Sequence, residues 1–98
     1  MRIRAAALNR LDLWMTAGLP HVSPKFPFIV GSDGAGVVEA AGEGVQSVRP
    51  GDRVMINPGI SCGRCPTCLD GDEPLCGEYR ILGEHAPGTA AELVVVPE

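Results

Sequence analysis

Ninety-eight residues suffice for one domain and are too few for two, since each half would lack a core of its own. Hydrophobic residues at 45% and charged residues at 20% exclude wholesale disorder, and 13 glycines and 9 prolines with 4% aromatics favour short strands and turns over a helical bundle. A formal net charge of −4 without any run of Lys or Arg argues against a nucleic-acid partner, and no apolar run approaches the roughly 20 residues of a membrane helix.

The opening Met-Arg-Ile-Arg-Ala-Ala-Ala-Leu has two charges and only a short apolar run, broken by Asn9 and Arg10, so it does not read as an export signal. The expected compartment is therefore the cytosol, where thiols stay reduced. Residues 2–8 read as the end of a strand, although Ala5, Ala6 and Ala7 suit a helix equally by propensity. Asn9 caps a short helix over residues 10–17, with Asp12 as an anion in its first turn and Gly18 where it stops. Trp14 and Met15 on this helix are expected to pack in the core or line a cleft wall. Pro20, Pro24 and Pro27 make residues 19–27 a loop, in which His21 is solvated.

Residues 28–30 form a short apolar run, and residues 34–40 read as a strand whose glycines allow close approach of another backbone or a ligand. Turns follow at residues 41–44 and at Pro50-Gly51-Asp52, and residues 53–56 are expected to form a largely buried strand antiparallel to its predecessor. Residues 91–96 are the clearest strand by propensity, ended by Pro97. A chain that starts in strand-like sequence and stops on its best strand reads as part of a longer protein.

Cys62, Cys65, Cys68 and Cys76 give C-x2-C-x2-C-x7-C. Four thiolates close a tetrahedron around zinc with no open position, the mark of a structural site. Gly63 allows the tight turn between the first two ligands, and Arg64 can offset part of the tetrathiolate charge. Leu69 and Leu75 are the only aliphatic residues of the loop, so a metal would serve as its core. A disulfide pair would require export. Iron–sulfur ligation shares the opening C-x2-C-x2-C but closes with C-x3-C-P, whereas seven residues precede Cys76 and Gly77 follows it. A redox C-x-x-C needs a thioredoxin-like βαβ pattern, which is missing. Gly42-Glu43-Gly44 does not complete a dinucleotide fingerprint: Ser47 stands where its last glycine belongs, and Pro50-Gly51 replaces the helix.

The cysteine spacing, the Gly-Val-Val before Pro50-Gly51-Asp52-Arg53-Val54 and the later Gly88-Thr89-x-Ala91-Glu92 resemble the N-terminal catalytic domain of the zinc-containing alcohol dehydrogenases, in the medium-chain dehydrogenase/reductase superfamily. The resemblance covers nearly the whole chain. It implies a mainly β, GroES-like partly open β-barrel with a few short helices and a zinc-binding lobe at about residues 60–80, with residues 1–98 forming one incomplete domain. It also implies that the first strands and a Rossmann domain for NAD or NADP lie outside this chain. Relatives suggest a homodimer or tetramer, by analogy alone.

Members that bind a catalytic zinc carry Cys-His-Thr-Asp and Gly-His-Glu, where this chain has Asn9-Arg10-Leu11-Asp12 and Gly31-Ser32-Asp33. An amide replaces a thiolate and a hydroxyl replaces an imidazole, so the strongest ligands of that zinc are gone. Both segments resemble the quinone oxidoreductase branch, which reduces activated carbonyls or enones with NADPH and without a catalytic metal. The resemblance thus implies hydride transfer between nicotinamide and a small carbonyl, alcohol or enone. Asn9 would lie beside the nicotinamide or substrate carbonyl, Asp12 would orient the helix start, and Ser32 and Asp33 would line the same cleft. Local roles compete: cap for Asn9, first-turn anion for Asp12, turn formers for Ser32 and Asp33. His85 follows the cysteine segment and could reach the cleft mouth, but a lone loop histidine reads more readily as structural or exposed. A stand-alone zinc-binding module acting by protein interaction, as the GroES chaperonins do, is the alternative; as a fragment of an enzyme the chain is expected to be inactive alone.

Overall fold

A computed structural model describes residues 1–18, 20 and 23–98. The expected placement of His21 lies outside the described residues. In chain order the elements are β1 (Arg2–Ala7), α1 (Arg10–Ala17), β2 (Asp33–Val37), β3 (Arg53–Met55), β4 (Gly59–Ile60), α2 (Pro66–Leu69), a 3₁₀ turn at Glu73–Leu75 and β5 (Arg80–Ile81). Strands β1, β2 and β3 form an antiparallel sheet in that order, and β4 pairs with β5. Among the described residues no barrel closes, so the fold is mainly β and partly open.

The alanine run becomes a strand because small residues face it: Ala5, Ala6 and Ala7 lie opposite Ala35, Gly34 and Asp33. Ladder pairing overrides the helix propensity of alanine here. One position permits the approach at the other end of the pair. A Cβ on Gly36 would strike the Arg2 carbonyl, so only glycine lets β1 and β2 lie this close.

Helix α1 spans residues 10–17 as its cap signals predict. The Asn9 backbone is extended at the N-cap, and the Gly18 N–H closes the last turn on the Trp14 carbonyl at 2.8 Å. Met15 is buried, whereas Trp14 is half exposed and so lies at a surface rather than in the core.

Other expectations need correction. Strand β2 ends at Val37 rather than at residue 40, because Val38 turns its N–H to the Asp52 carbonyl (2.9 Å) and takes the Gly51 N–H on its own carbonyl (2.8 Å). Strand β3 is not largely buried: it is the sheet edge, and Met55 is 85% exposed. Residues 91–96 form no strand. They touch β1 through one bridge, Arg2 to Leu93, flanked by bonds from Ile3 N–H to the Glu92 carbonyl (2.9 Å) and from Val94 N–H to the Met1 carbonyl (3.0 Å). Beyond that overlap the β-branched run has no partner, and propensity without a ladder makes no strand. Among the described residues Met15, Val38, Cys76, Leu82 and Val94 are the buried apolar side chains, and Thr89 is fully buried.

Candidate functional site

Two clusters carry chemistry. The first lies between β4 and β5, where Gly63, at φ +70°, turns the chain between Cys62 and Cys65. Pro66 then starts α2, Cys65 stands at its N-cap and Cys68 within it, and the 3₁₀ turn delivers Cys76. All four Sγ atoms lie within 4.8 Å of one another. Cys65 and Cys68 are 3.4 Å apart, and Cys62 and Cys68 are 3.9 Å apart. Four thiolates about 2.3 Å from a zinc ion stand roughly 3.8 Å from each other, so the donor set fits that ion.

The surroundings prepare the sulfurs unequally. The Thr67 hydroxyl, 3.1 Å away, and the Cys68 N–H hold the Cys65 thiol down at about 6. The Arg64 and Cys65 N–H groups lower that of Cys62, whereas burial pushes Cys68 up to about 11. Arg64 turns its guanidinium to Glu78 at 3.6 Å, at the exposed surface. Leu69 and Leu75 are exposed, so no apolar core holds this loop.

The second cluster joins three parts of the chain. Asp12 is 6% exposed, and its carboxylate accepts from the Asn9 N–H (2.7 Å) on one oxygen and from the buried Gly31 N–H (2.8 Å) on the other. This is the reach-back half of a capping box, extended to a distant loop. The Asn9 amide nitrogen does not turn into its own helix; it donates to the Asp33 carboxylate at 2.7 Å. Ser32 is buried and gives its hydroxyl to the Leu82 carbonyl at 2.8 Å. Asn9, Asp12 and Asp33 therefore come together, with Asn9 and Asp33 exposed and Asp12 beneath them, while Ser32 points away into the interior.

His85 accepts the Ile81 N–H on Nδ1 at 3.1 Å and lies 3.7 Å from Glu84, a local loop role. Sequence reasoning missed Thr89. It donates its hydroxyl to the Asp33 carbonyl at 2.8 Å, and its only sequence signal was membership of the Gly-Thr-x-Ala-Glu string. Among the described residues no helix is long and apolar enough to cross a membrane.

Residues 1–98 match the alcohol dehydrogenase GroES-like domain. An alcohol dehydrogenase of Geobacillus stearothermophilus is 40% identical over 94 residues, 94% of this chain and 28% of the relative. The crystal structure of an NAD-dependent alcohol dehydrogenase superposes with TM-score 0.88 at 54% identity, over 99% of this chain and 28% of that one. A thermostable alcohol dehydrogenase from Pyrobaculum aerophilum, with cobalt and zinc bound, superposes with TM-score 0.88 at 42% identity, over 98% of this chain and 29% of its own. The chain thus spans a little over a quarter of the length of the relatives it matches.

Proposed function

Because the chain belongs to the alcohol dehydrogenase GroES-like domain family, we propose that it is the substrate-side part of an NAD(P)-dependent oxidoreductase with a structural zinc and no catalytic zinc. The observation that carries this reading is the contrast between the two clusters. Four sulfurs converge at zinc spacing. In the other cluster the exposed groups are an amide and a carboxylate, Asn9 and Asp33, with neither thiolate nor imidazole. That donor set does not fit a catalytic zinc.

Cys62, Cys65, Cys68 and Cys76 would hold the structural ion, which supplies folding energy to a loop without a core of its own. Bound NAD(P), held mainly by the rest of the protein, supplies or accepts the hydride. The residues of this chain orient the substrate. One N–H of the Asn9 amide is committed to Asp33, which leaves a second N–H to polarise a carbonyl oxygen. Asp33 accepts the hydrogen bond of a hydroxyl in the reverse direction. Asp12 lies too deep to touch a substrate and fixes the Asn9 backbone instead.

Metal analysis of the complete protein tests the reading directly. One zinc per chain is expected; two would restore a catalytic ion, and iron with visible absorption would overturn the assignment. Replacing Asn9 by Ala should lower kcat/KM for a small carbonyl or enone substrate at least tenfold with little change in stability. An equal loss of both would mean that Asn9 only caps the helix.

A further inference from the structure

The second cluster is a closed circuit of five hydrogen bonds. Asp12 accepts the Asn9 backbone N–H; the Asn9 amide donates to the Asp33 carboxylate; the Asp33 carbonyl accepts the Thr89 hydroxyl; the Thr89 N–H donates to the Gly31 carbonyl; and the Gly31 N–H returns to Asp12. Every link lies between 2.7 and 2.8 Å. Three of the five residues are buried, and only Asn9 and Asp33 face outward.

Thr89 is the hub of the buried side. It is 0% exposed, and Gly31 and Gly34 both lie close against its side chain. A Cβ on Gly31 would come 2.6 Å from its hydroxyl oxygen, and one on Gly34 would come 2.8 Å from its methyl carbon. Both glycines that flank Ser32 and Asp33 are therefore molded against one threonine. Its hydroxyl, methyl and backbone N–H each fix a different point of the segment that leads into β2 and carries Asp33.

We propose that Thr89 is a positioning residue: it sets the backbone of Asp33, and through it the direction in which the Asn9–Asp33 pair presents its polar atoms to a substrate carbonyl or hydroxyl. This inference rests on the oxidoreductase reading for its kinetic test but not for its geometry. Asp33 opens β2 at the very end of its ladder with β1, where a strand frays, and without a further tie it would wander by more than the fraction of an ångström that productive alignment tolerates. Threonine suits the hub because one side chain delivers a donor and a space-filling methyl at once.

The test uses the complete protein in six forms: wild type, Thr89→Val, Thr89→Ser, Thr89→Ala, Asp33→Ala and the double variant of Thr89→Val with Asp33→Ala. Valine keeps the shape and removes the hydroxyl. Thr89→Val should lower kcat at least tenfold with the dissociation constant for NAD(P)H unchanged, and should have no further effect once Asp33 is Ala and the pair is gone. Thr89→Ser, which keeps the hydroxyl, should recover kcat to within about threefold of wild type. An equal loss from Thr89→Val in both backgrounds would overturn the proposal, as would a serine variant no better than alanine; that serine–alanine pair decides the matter if the valine variant fails to fold. A second readout does not depend on turnover. The side-chain amide protons of Asn9, followed by NMR, should shift and exchange faster in Thr89→Val and return in Thr89→Ser. If the wild type lacks dehydrogenase activity the functional reading fails while this signal still judges the circuit, and an unmoved Asn9 signal refutes it.

Discussion

Asp12 shows how much of a site one residue can conceal from its sequence. The Asn9-x-x-Asp12 spacing was legible as a helix start, because the reach from a third helical residue back to the N-cap is local. The second bond, to Gly31 nineteen positions on, was not, since nothing in the sequence states which loop comes to rest there. Asp12→Asn should therefore cost more than a cap. An amide offers one acceptor oxygen to two backbone donors and sets its own NH₂ against the other, so unfolding in urea should show a loss of about 1–3 kcal/mol. Glycines divide in the same way. Gly36→Ala would drive a methyl into the Arg2 carbonyl and should lose about 1–3 kcal/mol in thermal denaturation. At Gly42 a methyl meets nothing, and Gly42→Ala should fall within about 0.5 kcal/mol of wild type.

Elements differ in what holds them. Helix α1 was readable to the residue because both of its ends are set by local signals, Asn9 and Gly18. Residues 91–96 were misread, because a strand exists only with a neighbour and their neighbour, β1, meets them through a single bridge, Arg2 to Leu93. The convergence of the four cysteines was legible, since ligand spacing is itself a sequence property. Stripping the metal with a chelator should thus act on one part of the molecule: hydrogen exchange should accelerate across residues 60–80 while β1–β2 amides keep their protection. The sheet has its own electrostatic tie. Arg2 bonds both carboxylate oxygens of Glu39 beyond the end of β2, at 2.6 and 2.8 Å, and holds that carboxyl below its ordinary range. A lowered folded-state value means that the tie contributes above the unfolded value and fades as the pH falls through the folded one. Arg2→Gln should flatten the acid side of the stability profile, read as the melting temperature below about pH 4.

At the scale of the whole molecule the shape is thin, 38 × 35 × 19 Å, with Leu8, Leu13, Phe26, Met55 and Val95 exposed. No Gly-x-Gly-x-x-Gly opening a helix occurs in the 98 residues, so the backbone cradle for a pyrophosphate is missing from them. Assayed alone at the nicotinamide absorbance, the 98-residue chain should show no turnover of NAD(P)H with carbonyl or enone substrates; measurable turnover would contradict the division of labour proposed above.

The stitch between residues 1–3 and 92–94 also bears on how the protein comes into being. Met1 and Val94 exchange backbone bonds in both directions across 93 positions, whereas β1 and β2 join residues about thirty apart. The side of β1 that faces β2 can therefore pair early, and its other side must wait until residues 92–94 are present. Such distant closure slows folding, and during synthesis it leaves one edge of β1 bare. The nascent chain is most exposed to mispairing with a second copy in the interval before residue 94 emerges.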